Sequence, residues 1–84
     1  MASIENPALV IDRVLDVRGE ACPLPLLKAR QALKALAVGQ CVQVLATDPG
    51  SEKDFHAFAR QSGHALLQAL QQEDEFHYVL QRSH

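Results

Sequence analysis

The chain has 84 residues, of which 48% are hydrophobic and 21% are charged, so it has room for one small domain. A domain of this size buries only about 60–65% of its unfolded surface, which rules out most self-contained enzymes with a deep active site. Eight Lys and Arg against ten Asp and Glu leave a net charge of −2, which disfavours general nucleic-acid binding through phosphates.

The start of the chain is expected to precede the folded domain. Residues 1–8 have no periodic pattern and predict a flexible tail before a single domain of residues 9–84. The N-terminus lacks the basic and apolar regions of a signal peptide, and no apolar run reaches the roughly 18 residues that span a bilayer. We therefore expect a soluble, cytoplasmic protein that does not bind a membrane.

The first two predicted elements are a strand and a helix. Branched residues between Leu9 and Val17 favour a strand, and Gly19 marks the turn that ends it. Residues 23–37 predict a helix with Pro25 in its first turn and Gly39 at its C-cap. At 100° per residue, the face of this helix that is expected in the core comprises Leu26, Ala29, Leu33, Leu36 and Ala37.

The opposite side of this helix combines basic and apolar residues. Lys28 and Lys34 lie there, and Leu24 and Leu27 fall among them. Large apolar side chains at solvent positions mark interaction surfaces, so these four residues are candidate partner-docking residues. Residues 18–40 carry four cations and one carboxylate, a balance that steers acidic partners, although an ordinary solvated helix face explains the lysines equally well.

The middle of the chain predicts a second strand and a second helix. Residues 41–47 form a short, nearly continuous apolar run, typical of a strand buried on both faces. After the break at residues 48–50, Ser51 and Asp54 have the spacing of a capping box. The helix that follows is expected to end at Gly63.

The C-terminal part contains one ambiguous segment and one clear strand. Residues 64–72 are rich in Ala, Leu and Gln, and composition alone favours a helix, while their length also suits one arm of a hairpin. Residues 76–82 alternate as a strand does, and such a strand needs a neighbour. Crossovers through the two helices predict parallel first pairings, in a four-stranded mixed sheet with both helices on one face.

Cys22 is the leading candidate for chemistry because it lies between a turn and the start of a predicted helix. Free N–H groups and the positive helix end stabilise an anion there, which predicts a lowered pKa for the thiol. Pro23 and Pro25 restrict the backbone around the sulfur, and Arg18 is expected to add a positive charge. The donors expected near the sulfur are the N–H groups of Leu24, Leu26 and Leu27.

The other chemically capable residues give weaker signals. Cys41 begins the buried-looking strand and is expected to be a small core residue, and the two cysteines have neither CxxC nor secreted-framework spacing, which suits a reducing compartment. Asp48 precedes a proline, which is more often turn chemistry than a contact with a partner. The four histidines have no metal-binding spacing, so no metal site is expected.

The motif around Cys22 resembles that of the TusA-like (SirA-type) sulfur-carrier family. Cys22-Pro23-Leu24-Pro25 matches the family's Cys-Pro-x-Pro signature, and Asp16 and Gly19 precede it as in the family pattern. Residues 46–51 with Asp54 resemble a second family motif, and Gly63 with His64 matches a third position. The resemblance covers about residues 10–83.

The resemblance implies an α/β two-layer sandwich of order βαβαββ, in which residues 64–72 are a strand despite their composition. It also implies that Cys22 carries sulfur as a persulfide, taken from a cysteine desulfurase or a rhodanese-type protein and given to an acceptor protein. Such a protein acts as a sulfurtransferase-type carrier rather than a stand-alone enzyme, and needs no cofactor. Asp16, Arg18, Gly19, Pro23, Pro25 and Asp48 would support the thiol, while Glu20, where the family has a hydrophobic residue, would alter partner choice.

Two other functions compete with a sulfur carrier. A regulatory or interaction module that uses the Cys-Pro-x-Pro loop as a redox-sensitive docking site is the main alternative. A small RNA-binding domain is disfavoured by the acidic balance and by the lack of an aromatic stacking surface. The acceptor is open among transfer-RNA thiolation, molybdenum-cofactor maturation and sulfur oxidation, and so is association of the chain with a second copy of itself.

Overall fold

The computed structural model describes residues 9–84, which form two helices and four strands. The elements follow one another in the predicted order βαβαββ. The tail predicted at residues 1–8 lies outside the described residues, and the division into tail and domain stays a prediction. The elements are β1 (Arg13–Val17), α1 (Leu24–Ala35), β2 (Cys41–Ala46), α2 (Ser51–Ser62), β3 (Ala65–Gln72) and β4 (Glu75–Gln81).

The four strands form one mixed sheet in the order β1-β2-β4-β3. β1 and β2 are parallel, as expected for strands joined through a helix, and β4 is antiparallel to both of its neighbours. The expectation of parallel first pairings is wrong for the second crossover, because the chain leaves α2 for the sheet edge and β4 then returns between β2 and β3. Within residues 9–84, no helix is long and apolar enough to cross a membrane.

Both helices contribute to one hydrophobic core, which confirms the α/β two-layer sandwich. β2 is buried on both faces along most of its length, as its apolar run predicts. On α1, Ala29, Leu33 and Leu36 are buried as expected and Leu26 is half-buried, but Ala37 is exposed because the helix ends at Ala35. The fully buried members of the core include Val17, Ala29, Val42, Val44, Ala46, Phe55, Tyr78 and Leu80.

Residues 65–72 form the edge strand β3, so the helix favoured by composition is wrong and the strand implied by the family resemblance is confirmed. β3 and β4 make an antiparallel hairpin whose turn places Glu73 at a φ of +55°. Pairing with β4 decides this segment, since Ala, Leu and Gln have a helical preference of only a few tenths of a kcal/mol per residue. A register shift between Leu66 and Gln68 marks a bulge in the ladder.

The helix ends differ in part from the predictions. α2 ends at Gly63, whose φ of +82° is the left-handed conformation of a C-cap. Its N-cap is Gly50 without a side-chain hydrogen bond, so the capping box is wrong for Ser51. α1 ends with Leu36 rather than Gly39 as C-cap, because the backbone turns extended at Leu36. The Arg82 guanidinium donates to the carbonyls of Lys34 and Leu36 at this end, at 3.1 Å and 2.5 Å.

Candidate functional site

Cys22 lies in the connection between β1 and α1, with its side chain exposed. Gly19 has a φ of +83° in the turn that leaves β1, and its N–H donates to Thr47 Oγ1 at 2.8 Å. This bond ties the loop that carries Cys22 to the segment after β2. As a result, the start of α1 and the start of α2 lie side by side at the same edge of the sheet.

The thiol occupies a shallow depression that we call the thiol notch. Residues from two stretches of the chain line it: the Cys-Pro-x-Pro segment with the start of α1, and the β2–α2 connection with the start of α2. It contains two carboxylates and no cationic side chain. Its lining is Cys22, Pro23, Pro25, Leu26, Asp48, Ser51, Asp54 and Phe55.

Carboxylates dominate the electrostatics of the thiol notch. Hydrogen bonding to the Asp54 carboxylate is the main cause of a raised pKa for the Cys22 thiol. Partial desolvation and the negative charges of Asp54 and Asp48 raise the pKa further. The lowered thiol pKa expected from the helix start is therefore wrong for the free protein.

Two of the three N–H groups that were expected to lower this pKa are engaged elsewhere. The N–H of Leu24 donates to the Ala21 carbonyl at 3.0 Å, and the N–H of Leu27 donates to the Pro23 carbonyl at 3.1 Å. These donors close the first turn of α1 instead of facing the sulfur.

Arg18 is paired away from Cys22. Its guanidinium bonds Asp16 at 2.8 Å and Glu75 at 3.3 Å. Hydrogen bonds from Arg18 lower the pKa of Asp16 to about 2, so this carboxylate stays ionised and keeps its cation. Asp16 and Arg18 thus belong to a separate ion pair at the end of β1 rather than to the thiol notch.

The four predicted docking residues divide between the two ends of α1. Leu24 and Leu27 are exposed at 48% and 45%, near Cys22, as expected. Lys28 bonds the Glu20 carboxylate at 2.8 Å, so this lysine is paired within the chain. Lys34 lies ten residues beyond Leu24, about 15 Å along the helix, and is not brought to the thiol.

A buried hydrogen bond and a ring stack fix the residues at the base of the thiol notch. Ser51 Oγ and the Tyr78 hydroxyl share a buried hydrogen bond of 2.7 Å, and the ring of Phe55 stacks on that of Tyr78 at 4.5 Å between centroids. Burial raises the pKa of Tyr78 to about 12. A neutral, buried phenol that is bonded on one side and stacked on the other gives the start of α2 a fixed position.

Asp54 is the residue of the site whose role the sequence interpretation missed. Its spacing from Ser51 was explained as a capping box, although the same segment resembles the second family motif. That resemblance was the available signal, since the motif lies beside the Cys-Pro-x-Pro segment in the structure. Asp48 also lines the thiol notch. Its backbone carbonyl accepts the Ser51 N–H at 3.0 Å, so the same residue forms a turn and lies beside the thiol.

The other candidates lie apart from the thiol notch. Cys41 is buried at the start of β2, where its N–H donates to the Asp12 carboxylate at 2.8 Å. Burial is the main cause of its raised thiol pKa. In the part of the chain that the structure describes, no three His, Cys, Asp or Glu side chains converge on a possible metal position.

Residues 9–84 thus form a small α/β sandwich that exposes one of its two thiols, that of Cys22, beside the start of a helix. The family model described as Sulfurtransferase TusA matches residues 13–82, and the chain belongs to this family. The Sulfur carrier protein TusA of Allochromatium vinosum is 46% identical over 72 residues, which cover 86% of this chain and 95% of that protein.

Two further relatives agree with the family. A putative sulfur carrier protein of Neisseria meningitidis serogroup A is 51% identical over 67 residues, covering 80% of this chain and 90% of that protein. The crystal structure of a SirA-like protein from Desulfitobacterium hafniense superposes with a TM-score of 0.74, covering 86% of this chain and 99% of that one at 23% identity. The structural likeness supports the fold.

Proposed function

We propose that this protein is a sulfur carrier, in which Cys22 accepts sulfane sulfur as a persulfide and passes it to an acceptor protein. The observation that carries the proposal is the exposed thiol of a Cys-Pro-x-Pro segment in a chain that belongs to the TusA family. The buried Cys41 thiol is not accessible to a partner. The donor is a protein persulfide, on a cysteine desulfurase or a rhodanese-type protein.

Sulfur transfer takes two exchange reactions. In the first, the Cys22 thiolate attacks the outer sulfur of the donor persulfide, the donor sulfur–sulfur bond breaks, and the donor cysteine leaves as a thiolate. In the second, an acceptor thiolate attacks the outer sulfur of the Cys22 persulfide, and Cys22 leaves. The proton of Cys22 is lost in the first reaction and regained in the second, so the cycle is balanced.

The proposed partners dock over the exposed leucines beside Cys22. Leu24 and Leu27 give a protein partner an apolar surface at the thiol, and a protein surface supplies the enclosure that the shallow notch lacks. The relay is proposed to serve transfer-RNA thiolation, molybdenum-cofactor maturation or sulfur oxidation. It is proposed to act in the cytoplasm, because two free cysteines suit a reducing compartment.

The test is intact-protein mass spectrometry after incubation with a cysteine desulfurase and cysteine. Wild type is expected to gain the mass of one sulfur atom, and a reductant is expected to remove it. Reduction matters because a sulfinic acid adds nearly the same mass and is not reversed by thiols.

Cys22→Ser and Cys41→Ala are the matched variants. Cys22→Ser is expected to gain no sulfur, and Cys41→Ala is expected to gain as much as wild type. Absence of reducible sulfur on wild type with desulfurase and rhodanese donors alike would refute the carrier and favour the redox-sensitive docking module. Binding of such a module to its partner would persist in Cys22→Ser.

A further inference from the structure

Among the described residues, two carboxylates and no cationic side chain line the thiol notch around Cys22. Asp54 on α2 and Asp48 in the β2–α2 connection line the notch together with Cys22. The third ionisable group packed below the site, the Tyr78 phenol of β4, is neutral and bonded to Ser51. Every charged side chain that lines the notch is a carboxylate, so the notch disfavours ionisation of the Cys22 thiol.

The cationic side chains nearest to Cys22 in sequence are paired with other carboxylates and do not stabilise its thiolate. Arg18 is bound by Asp16 and Glu75, and Lys28 is bound by Glu20. Each of these cations already has a carboxylate within 3.3 Å. Arg30 of α1 lines a neighbouring cavity together with Asp54 but does not line the thiol notch. Within residues 9–84, no cationic side chain lines the notch itself, so a cation placed beside the thiol would come from a partner.

We propose that the docking partner activates Cys22: Asp54 holds the free thiol protonated and oriented, and a Lys or Arg of the partner, brought beside Asp48 and Asp54, allows the thiolate to form. This inference rests on the proposed function, since it concerns the same thiol. Asp54 acts here as a positioning residue, because it works through Cys22 and does not touch the transferred sulfur. The raised pKa of the Cys22 thiol is consistent with this arrangement.

The proton balance of the transfer agrees with partner activation. When the partner's cation pairs with the carboxylates, the Cys22 proton is released to water and the thiolate attacks the donor's outer sulfur. The donor cysteine leaves as a thiolate and takes up a proton, so a thiol and a persulfide exchange places without an oxidant. Away from a partner the protonated thiol is a poor nucleophile, which limits its oxidation and its reaction with other disulfides in solution.

The first experiment uses disulfide probes of opposite charge. The dication cystamine and the dianion dithiodiglycolate each form a mixed disulfide with Cys22 when its thiolate attacks one sulfur and half of the probe leaves as a thiolate. The initial rates are measured at low salt by mass spectrometry of the peptide that contains Cys22. The quantity of interest is the ratio of the cystamine rate to the dithiodiglycolate rate.

The wild-type protein is expected to react faster with cystamine. In a variant with both Asp48→Asn and Asp54→Asn, the ratio of the two rates is expected to fall about tenfold, because two negative charges are removed. High salt is expected to reduce the wild-type ratio in the same direction. Asp12→Asn is the matched control, because it removes one carboxylate at the Cys41 end of β2. A ratio that is the same in wild type and the double variant would overturn the proposal.

The second experiment measures the pH profile of alkylation by neutral iodoacetamide. Asp54→Asn is expected to move the rise in rate to lower pH and to speed alkylation roughly fivefold near pH 7.5, whereas Asp12→Asn leaves the profile of Cys22 unchanged. A purely structural role of Asp54 would not move the profile in this direction. An unmoved profile, or slower alkylation in Asp54→Asn, would contradict the proposal.

The two proposals fail in distinguishable ways. If desulfurase loading places no sulfur on Cys22, the carrier function fails whatever the pH profile shows. If sulfur is loaded but substitution of Asp48 and Asp54 changes neither the probe ratio nor the pH profile, only partner activation fails. Circular dichroism of each variant verifies that the fold is kept.

Discussion

Cys22 and Cys41 are chemically the same group in two different environments, and both have a raised thiol pKa. At Cys22 the first cause is a hydrogen bond to Asp54, while at Cys41 it is burial in the sheet. A contact with a surface carboxylate is reversed when a cation arrives, whereas burial is reversed only by opening the fold. If a partner activates Cys22 as proposed, the same direction of pKa shift corresponds to a switchable thiol at Cys22 and to an inert one at Cys41.

The largest expected difference between the two cysteines is their rate of labelling. With iodoacetamide under native conditions, we expect Cys22 to react at least about a thousandfold faster than Cys41, because Cys41 reacts only when the sheet opens. Peptide mapping after quenching measures both sites in one sample. In denaturant the two rates should converge. Similar native rates would remove the distinction between an accessible and a buried thiol.

A second prediction concerns the floor beneath Cys22. Ser51→Ala is expected to lower the free energy of unfolding by about 1–3 kcal/mol, because it leaves the buried Tyr78 hydroxyl without its partner. Combining it with Tyr78→Phe should restore part of this loss, since the orphaned hydroxyl is then removed as well. Urea unfolding of both single variants and the double variant measures the coupling. If Ser51 acted as a helix cap, Tyr78→Phe would give no such recovery.

The third prediction separates docking from thiol chemistry. Changing Leu24 and Leu27 together to Ser is expected to slow sulfur loading from a cysteine desulfurase by about tenfold, since apolar contacts at the centre of an interface carry much of its binding energy. Stability should change by less than about 0.5 kcal/mol, because both side chains are exposed.

Val38→Ser is the control for this prediction. Val38 is also an exposed apolar residue, at 63%, but it follows the opposite end of α1. Loading of Val38→Ser should match that of wild type, and iodoacetamide should label Cys22 at the same rate in all three proteins. Equal loading in the leucine variant and wild type would show that partners dock elsewhere.

Local signals in the sequence were sufficient for much of the fold. The apolar run of β2, the proline in the first turn of α1 and Gly63 after α2 each act within a few residues, and each predicts its element. β3 was not predictable from its own composition, because pairing with β4 outweighs the helical preference of its residues. The family resemblance supplied what the local pattern lacked.

The site was predictable in position but not in electrostatics. The Cys-Pro-x-Pro segment indicated an exposed thiol at a helix start, and Cys22 is there. The charge around the Cys22 sulfur depends on which distant residues pack beside it. Asp48 and Asp54 line the thiol notch, while Arg18 forms ion pairs with Asp16 and Glu75. Sequence spacing does not report such pairings, so a lowered pKa was expected where the fold gives a raised one.

The most direct test of this account is an NMR titration of both cysteines in the wild-type protein, using the ¹³Cβ shift of each residue to report ionisation of its thiol. We predict that Cys22 and Cys41 both ionise at higher pH than an unperturbed cysteine thiol, and that Asp54→Asn makes only Cys22 ionise at lower pH. Ionisation of Cys22 near neutral pH in the wild-type protein would contradict the account and restore the helix start as the dominant influence on the thiol.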